Sequence, residues 1–152
     1  MSAGPPKVTE QQVQEDLMRL DAYRNQLNAL LQQHQILSAS RDDHVRARES
    51  LEGVDRSPPS SELLLPLGGE TFVRGSVDRD APVLVGVGSG ILVEMERPKV
   101  VELVAQRTVR IEQALRDLEG QMSSLDERIQ ALSQRLDSIA REMNASTDVG
   151  SD

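Results

Sequence analysis

Five residues near the middle of the chain, Gly86-Val87-Gly88-Ser89-Gly90, are the first that could do chemistry. A glycine-rich loop cradles phosphate when a helix follows at once and turns its N-terminus toward the anion. The glycine spacing of a dinucleotide fingerprint is not met here, and Ile91 to Glu96 alternate like a strand, so the segment reads as a turn. His34 and His44 are the only histidines. Ten residues apart they fall on different helix faces, whereas helical metal pairs sit three or four apart. Both lie at or beside an apolar stripe, where packing is the commoner role. The carboxylates lie on exposed helix flanks, without the apolar surroundings that would tune one for acid–base work. No serine stands in a nucleophile elbow. The absence of cysteine removes a disulfide framework, a thiolate metal site and a cysteine nucleophile. These residues predict no catalytic constellation, no metal and no cofactor.

The elements around them carry more information. The chain has 152 residues, with 25 acidic and 17 basic side chains, one Tyr, one Phe and no Trp. Two aromatics cannot fill the core of a rounded domain of this length, yet 38% of residues are apolar, too many for disorder throughout. A narrow apolar seam in an elongated molecule fits both facts. The net charge of −8 argues against a nucleic-acid footprint, which needs a basic stripe. The N-terminus has no signal-peptide core and no apolar run reaches membrane length, which predicts a soluble, intracellular, cytoplasmic protein.

Stepping by three and four from Val101 gives Val104, Thr108, Ile111, Leu115, Leu118, Met122, Leu125, Ile129, Leu132, Leu136, Ile139 and Met143, all apolar except Thr108. A sustained 3.5-residue period is a left-handed coiled-coil seam. Pro98 suits the first turn of that helix, where its missing N–H costs nothing. Glu112, Glu119 and Asp126 line one edge of the stripe, with Arg107, Arg128 and Arg135 on the other. The N-terminal third repeats the pattern less cleanly. Val13, Leu20, Leu27 and His34 form one register, and Tyr23, Leu30, Leu37, His44 and Leu51 the other, with Leu17, Leu31 and Val45 beside them. Thr9 and Gln12 have capping-box spacing. Arg41 and Arg48 fall on seam positions, so residues 38–51 fit either arginine stems covering the seam or a slipped register. Gly53 is the expected helix stop.

Between the helices the period drops to two. Leu63–Leu67, Thr71–Val77, Pro82–Val87 and Ile91–Glu96 read as short strands, turned at Gly68-Gly69 and Gly88-Ser89-Gly90. The fold class is therefore α+β, mainly α: a long antiparallel two-helix coiled coil with two β-hairpins inserted between the helices. The domains are an N-terminal coiled-coil helix over 8–54, the hairpins over 62–96 and a C-terminal helix over 98–144, with flexible tails at 1–7 and 145–152. Isolated hairpins are marginal in water, so apolar strands with free edges predict oligomerisation. Val8, Val13 and Leu17 should converge with Leu136, Ile139 and Met143 at the far end of the coil. They either close the seam or, where helix ends fray, offer adaptable apolar surface.

The segments Leu63–Gly75 (LLLPLGGETFVRG) and Val83–Glu94 (VLVGVGSGILVE) resemble the "VPLG…-YV-G" and "VLV-VG-G-VE" segments of prefoldin subunits. Phe72 stands where the family commonly has Tyr. Two hairpins, in place of one, resemble the alpha class, the archaeal type also related to some eukaryotic subunits. The resemblance covers nearly the whole chain except the tails.

That resemblance implies a hexamer of two alpha-type and four beta-type subunits, whose hairpins form an oligomeric β-barrel. Leu63, Leu65, Leu67, Phe72, Val73, Val83, Val85, Val87, Ile91 and Val93 are the expected assembly residues. It further implies an ATP-independent holdase that captures unfolded polypeptides at the coil tips, through Val8, Val13, Leu17, Leu136, Ile139 and Met143, and delivers them to a group II chaperonin. A coiled-coil scaffold or adaptor for one folded partner explains the heptads equally well, but leaves the glycine-turned hairpins without a purpose.

Overall fold

The computed structural model describes residues 8–148; residues 1–7 and 149–152, assigned above to tails, lie outside the described residues. The element order is α1 (Glu10–Arg56), β1 (Glu62–Gly68), β2 (Thr71–Ser76), β3 (Val83–Gly88), β4 (Ile91–Met95) and α2 (Arg97–Asp148). Two long helices thus enclose two hairpins. The chain divides into two compact units, residues 1–36 with 115–152 and residues 37–114.

Helix α1 begins in a reciprocal capping box. The Thr9 backbone N–H donates to Gln12 Oε1 at 3.0 Å, and the Gln12 N–H donates to Thr9 Oγ1 at 3.3 Å. Its end lies beyond Gly53, correcting the expected stop. The Ser57 N–H donates to the Gly53 carbonyl at 3.1 Å, and the Ser57 hydroxyl donates to the same oxygen at 2.8 Å. The final turn is therefore satisfied without a left-handed glycine, and Pro58-Pro59 end the helix. Helix α2 likewise continues past Asn144 to Asp148, taking in four residues placed above in a tail.

In the first unit the two helices pair through the heptad stripe. Leu20, Leu115, Leu118, Leu125, Leu132 and Ile139 are buried, and each such side chain removed from water contributes about 1.5–3 kcal/mol. Two cross-helix ion pairs give the direction. Asp16 lies 3.4 Å from Arg135, and His34 lies 3.1 Å from Glu119, so one helix advances as the other retreats. The pairing is antiparallel.

In the second unit the hairpins form two separate two-stranded antiparallel sheets. They are the same object displaced by 20 residues. Leu65 pairs with Val73 and Val85 with Val93, Leu64 with Arg74 and Leu84 with Glu94, and Pro66 with Phe72 and Gly86 with Leu92. Each register slips at the same place, making Leu67 and Val87 bulged residues. Each turn then runs through three consecutive positive φ angles, at Gly68-Gly69-Glu70 and Gly88-Ser89-Gly90, the last two residues carrying the φ signature of a type I′ hairpin turn. The core of this unit is Val85 with Val100 and Val104, joined by Leu51, Val83, Met95 and Leu103. The Arg107 guanidinium also donates to the Gly86 carbonyl at 3.1 Å. Hairpin β3–β4 is therefore packed on the helices of its own chain. Through residues 38–51, Arg41, His44 and Leu51 are half-buried, while Arg48 turns outward and pairs with Glu52.

Candidate functional site

No group of three or more His, Cys, Asp or Glu side chains able to hold a metal occurs among the described residues. Both histidines already have partners. His34 Nε2 meets Glu119, and His44 Nδ1 donates to the Ser40 carbonyl at 2.7 Å. An apolar groove of about 400 Å³ runs beside Leu51, Val83, Val85, Val100 and Val104, with Asp43, His44 and Arg107 on its lining. Ser50 also lines it, but its hydroxyl donates to the Arg46 carbonyl at 2.8 Å and His44 is turned to Ser40, so no hydroxyl is paired with a base there. No helix of the described residues is long and apolar enough to cross a membrane.

What the structure leaves open is apolar surface, grouped in two places beside scattered helix positions such as Ile36 and Val109. Of nineteen exposed large apolar side chains among the described residues, eleven lie between Leu64 and Val93. Hairpin β1–β2 is exposed along nearly its whole length, with Leu65, Leu67, Phe72 and Val73 open to solvent and Leu63 partly covered. In hairpin β3–β4, Val87, Ile91 and Val93 are exposed as well. Val85 differs: at 7% exposure it belongs to the core of its own chain, and Val83 packs against that core. Val85 was expected among the assembly residues, but α2 covers the part of its face at Val83, Val85 and Met95, leaving its cross-strand partner Val93 open. On the opposite face Leu84 and Leu92, which were not singled out, are each 62% exposed. Alternation identifies two faces without saying which one a neighbouring helix will take.

The second place is the end of the helix pair nearest the chain termini. Val8, Leu17 and Met143 are exposed there, together with Met18. Val13 and Leu136 are half-buried, and Ile139, at 8% exposure, is closed into the seam. Three of the six residues singled out at this end are thus presented directly, and three are held between the helices. The position one step from Leu17 carries a buried carboxylate, Asp16 at 4% exposure. Sequence reading passed over it because a search for apolar periodicity skips a polar residue. Its place seven residues before Tyr23, itself a seam residue, is the signal that would have found it.

Comparison with known proteins places this arrangement. The family described as Prefoldin subunit matches residues 23–142. The chain is 30% identical over 112 residues to the prefoldin subunit alpha of Methanopyrus kandleri, covering 71% of each chain. It is 28% identical over 131 residues to that of Methanocorpusculum labreanum, covering 84% of this chain and 89% of the other. Among solved structures, the cryo-EM structure of filamentous PFD from Methanocaldococcus jannaschii superposes with a TM-score of 0.64 at 21% identity, over 76% of this chain and 95% of that one. The prefoldin beta subunit from Thermococcus strain KS-1 gives 0.56 at 22%, over 91% and 96%. These two likenesses speak to the fold.

Proposed function

The chain belongs to the prefoldin family, and from that premise we propose that it is the alpha-type subunit of an ATP-independent chaperone that holds unfolded polypeptides at the free ends of its helix pairs. The observation that carries this reading is the exposure of Leu17, Met18 and Met143 together at one end of the helix pair, beside the buried Leu20 and Ile139. Methionine and leucine side chains with several rotatable bonds adapt to irregular apolar partners. Single contacts of this kind are weak. Several such ends on one assembly would bind jointly, because the second contact forms at high effective concentration.

The exposed hairpins support the assembly half of the proposal. Each sheet has two strands, so both of its edges are unpaired within the chain, and unpaired edges with apolar faces recruit further strands. The partners proposed are beta-type prefoldin subunits, four to two alpha-type chains, with the hairpins closing an oligomeric β-barrel. Delivery to a group II chaperonin and a cytoplasmic location complete the proposal.

The test replaces Leu17, Met18 and Met143 with serine in the full chain. Suppression of aggregation of several unrelated unfolded proteins, without nucleotide, should fall several-fold while the native mass of the assembly is unchanged. Full suppression by that variant would reject the tip as the client surface. Activity confined to one folded partner would favour the adaptor.

A further inference from the structure

Asp16 occupies a core position of the heptad stripe between Val13 and Leu20, where every other buried residue of the pair in this unit is Leu or Ile. One oxygen, Oδ1, is 3.9 Å from a terminal nitrogen of Arg19, and the other, Oδ2, is 3.4 Å from Arg135 Nε. Oδ2 nevertheless has no hydrogen-bond partner, and it is sealed from solvent. Both arginine side chains are more than half exposed. A carboxylate withdrawn from water regains its lost hydration only through close, well-aligned donors. Two solvated guanidiniums at these distances do not supply them. Asp16 is therefore a weak point of the seam.

Its place matches a need at the same end. Val13, Leu136 and Ile139 lie on the side of Asp16 nearer the chain termini, since Asp16 faces Arg135; the half-buried Val13 and Leu136 are only partly accessible, and Ile139 reaches an unfolded chain only if the helices part there. Resting on the client-binding reading of this end, we propose that Asp16 is its opening point. It is a positioning residue that keeps residues 10–16 and 135–143 loosely joined, so that the closed part of the apolar stripe can turn outward onto client. Leu20 and Leu132, both buried, lie on the other side of Asp16 and limit how far the parting runs. The exposed Leu17 and Met143 make first contact, and the opened seam extends the surface.

The experiment uses the full chain in its native assembly, with amide hydrogen exchange and aggregation suppression as readouts. Replacing a buried ion pair with a well-packed apolar side chain commonly stabilises. Asp16→Leu should therefore slow exchange over residues 10–16 and 135–143 by about tenfold or more, leave residues 115–130 unchanged, and reduce client capture. Arg135→Ala, which strips the carboxylate of its cross-helix counter-charge, should quicken exchange in the same two segments. A residue serving stability alone would leave capture intact or improved when replaced by leucine. Unchanged exchange in Asp16→Leu overturns the opening point. Slowed exchange with undiminished capture overturns its role in binding. Failure of the client surface itself is read separately, from the Leu17, Met18 and Met143 substitutions.

Discussion

Gly68 and Gly88, twenty residues apart, hold the same backbone conformation at the same place in two hairpins, with φ of 104° and 110°. Each follows a bulged residue, and each precedes a pair of residues with positive φ. No other turn position combines glycine in both hairpins: Gly69 corresponds to Ser89, and Glu70 to Gly90. Only where φ exceeds the left-handed helical range is glycine retained in both copies.

That contrast sets a mutational order. Gly68→Ala and Gly88→Ala should each cost about 1–3 kcal/mol, because a Cβ is strained there although space is free around both. Glu70, at φ 59°, already bears the penalty of a left-handed non-glycine residue. Glu70→Gly should stabilise the hairpin by about 1 kcal/mol. Urea denaturation of the three variants, compared at equal m-value, checks the order.

A second prediction concerns the junction of the hairpins with the helices. Arg97 is buried in the first turn of α2 and ion-pairs with Asp55, in the last turn of α1, at 2.6 Å. It also donates to the Asp78 carbonyl at 3.3 Å. Asp55→Ala leaves a buried guanidinium without its counter-charge. Because the Asp55 side chain is half exposed, the loss should be about 2 kcal/mol, below the range for a fully buried pair. Adding Arg97→Met should recover most of it, as judged by denaturant midpoints of the single and double variants.

The two faces of hairpin β3–β4 should respond differently to the same change. Val85→Asp places a charge in the cluster with Val100 and Val104, and should unfold residues 37–114, with lost ellipticity and a broadened NMR spectrum. Leu84→Asp and Leu92→Asp alter exposed positions, and should leave the secondary structure intact while lowering the native mass. If Val85→Asp kept both its fold and its mass, the assignment of that face to the chain's own core would be wrong.

Gly120 offers a change with no expected functional consequence. It lies in the interior of α2, on an exposed face, and a Cβ built there meets nothing within 4 Å. Gly120→Ala should raise stability by about 0.5–1 kcal/mol, and leave aggregation suppression unchanged. A thermal melt together with the capture assay tests both parts.

The parts of this fold that were legible in the sequence are those where a local rule acts alone. Twelve apolar residues at 3.5-residue spacing admit one reading, and glycine pairs between alternating runs mark hairpins. Where two rules competed, the sequence was a poorer guide. Gly53 carries the composition of a helix stop, but Ser57 bonds back to its carbonyl and the helix runs on. Arg41 and Arg48 look alike in a heptad; in space Arg41 is held half-buried by Ser38 and Asp42, while Arg48 turns outward to Glu52. For the candidate site, the pattern left Val8, Leu17 and Met143 between closing the seam and offering surface, and all three are exposed. Ile139 takes the other course and is closed into the seam. Val85, expected at an assembly surface, packs under Val100 and Val104 of α2.

The antiparallel seam has a consequence for how this protein is made. Asp16 waits for Arg135, 119 residues later in the chain. At synthesis rates of 5–20 residues per second that interval is roughly 6–24 s. Each hairpin closes within about 15 residues, and needs only microseconds once its strands are free. The apolar stripe of α1 therefore leaves the ribosome uncovered and stays so through most of translation. The proposed holder of unfolded chains is, for those seconds, a chain of the kind it would hold.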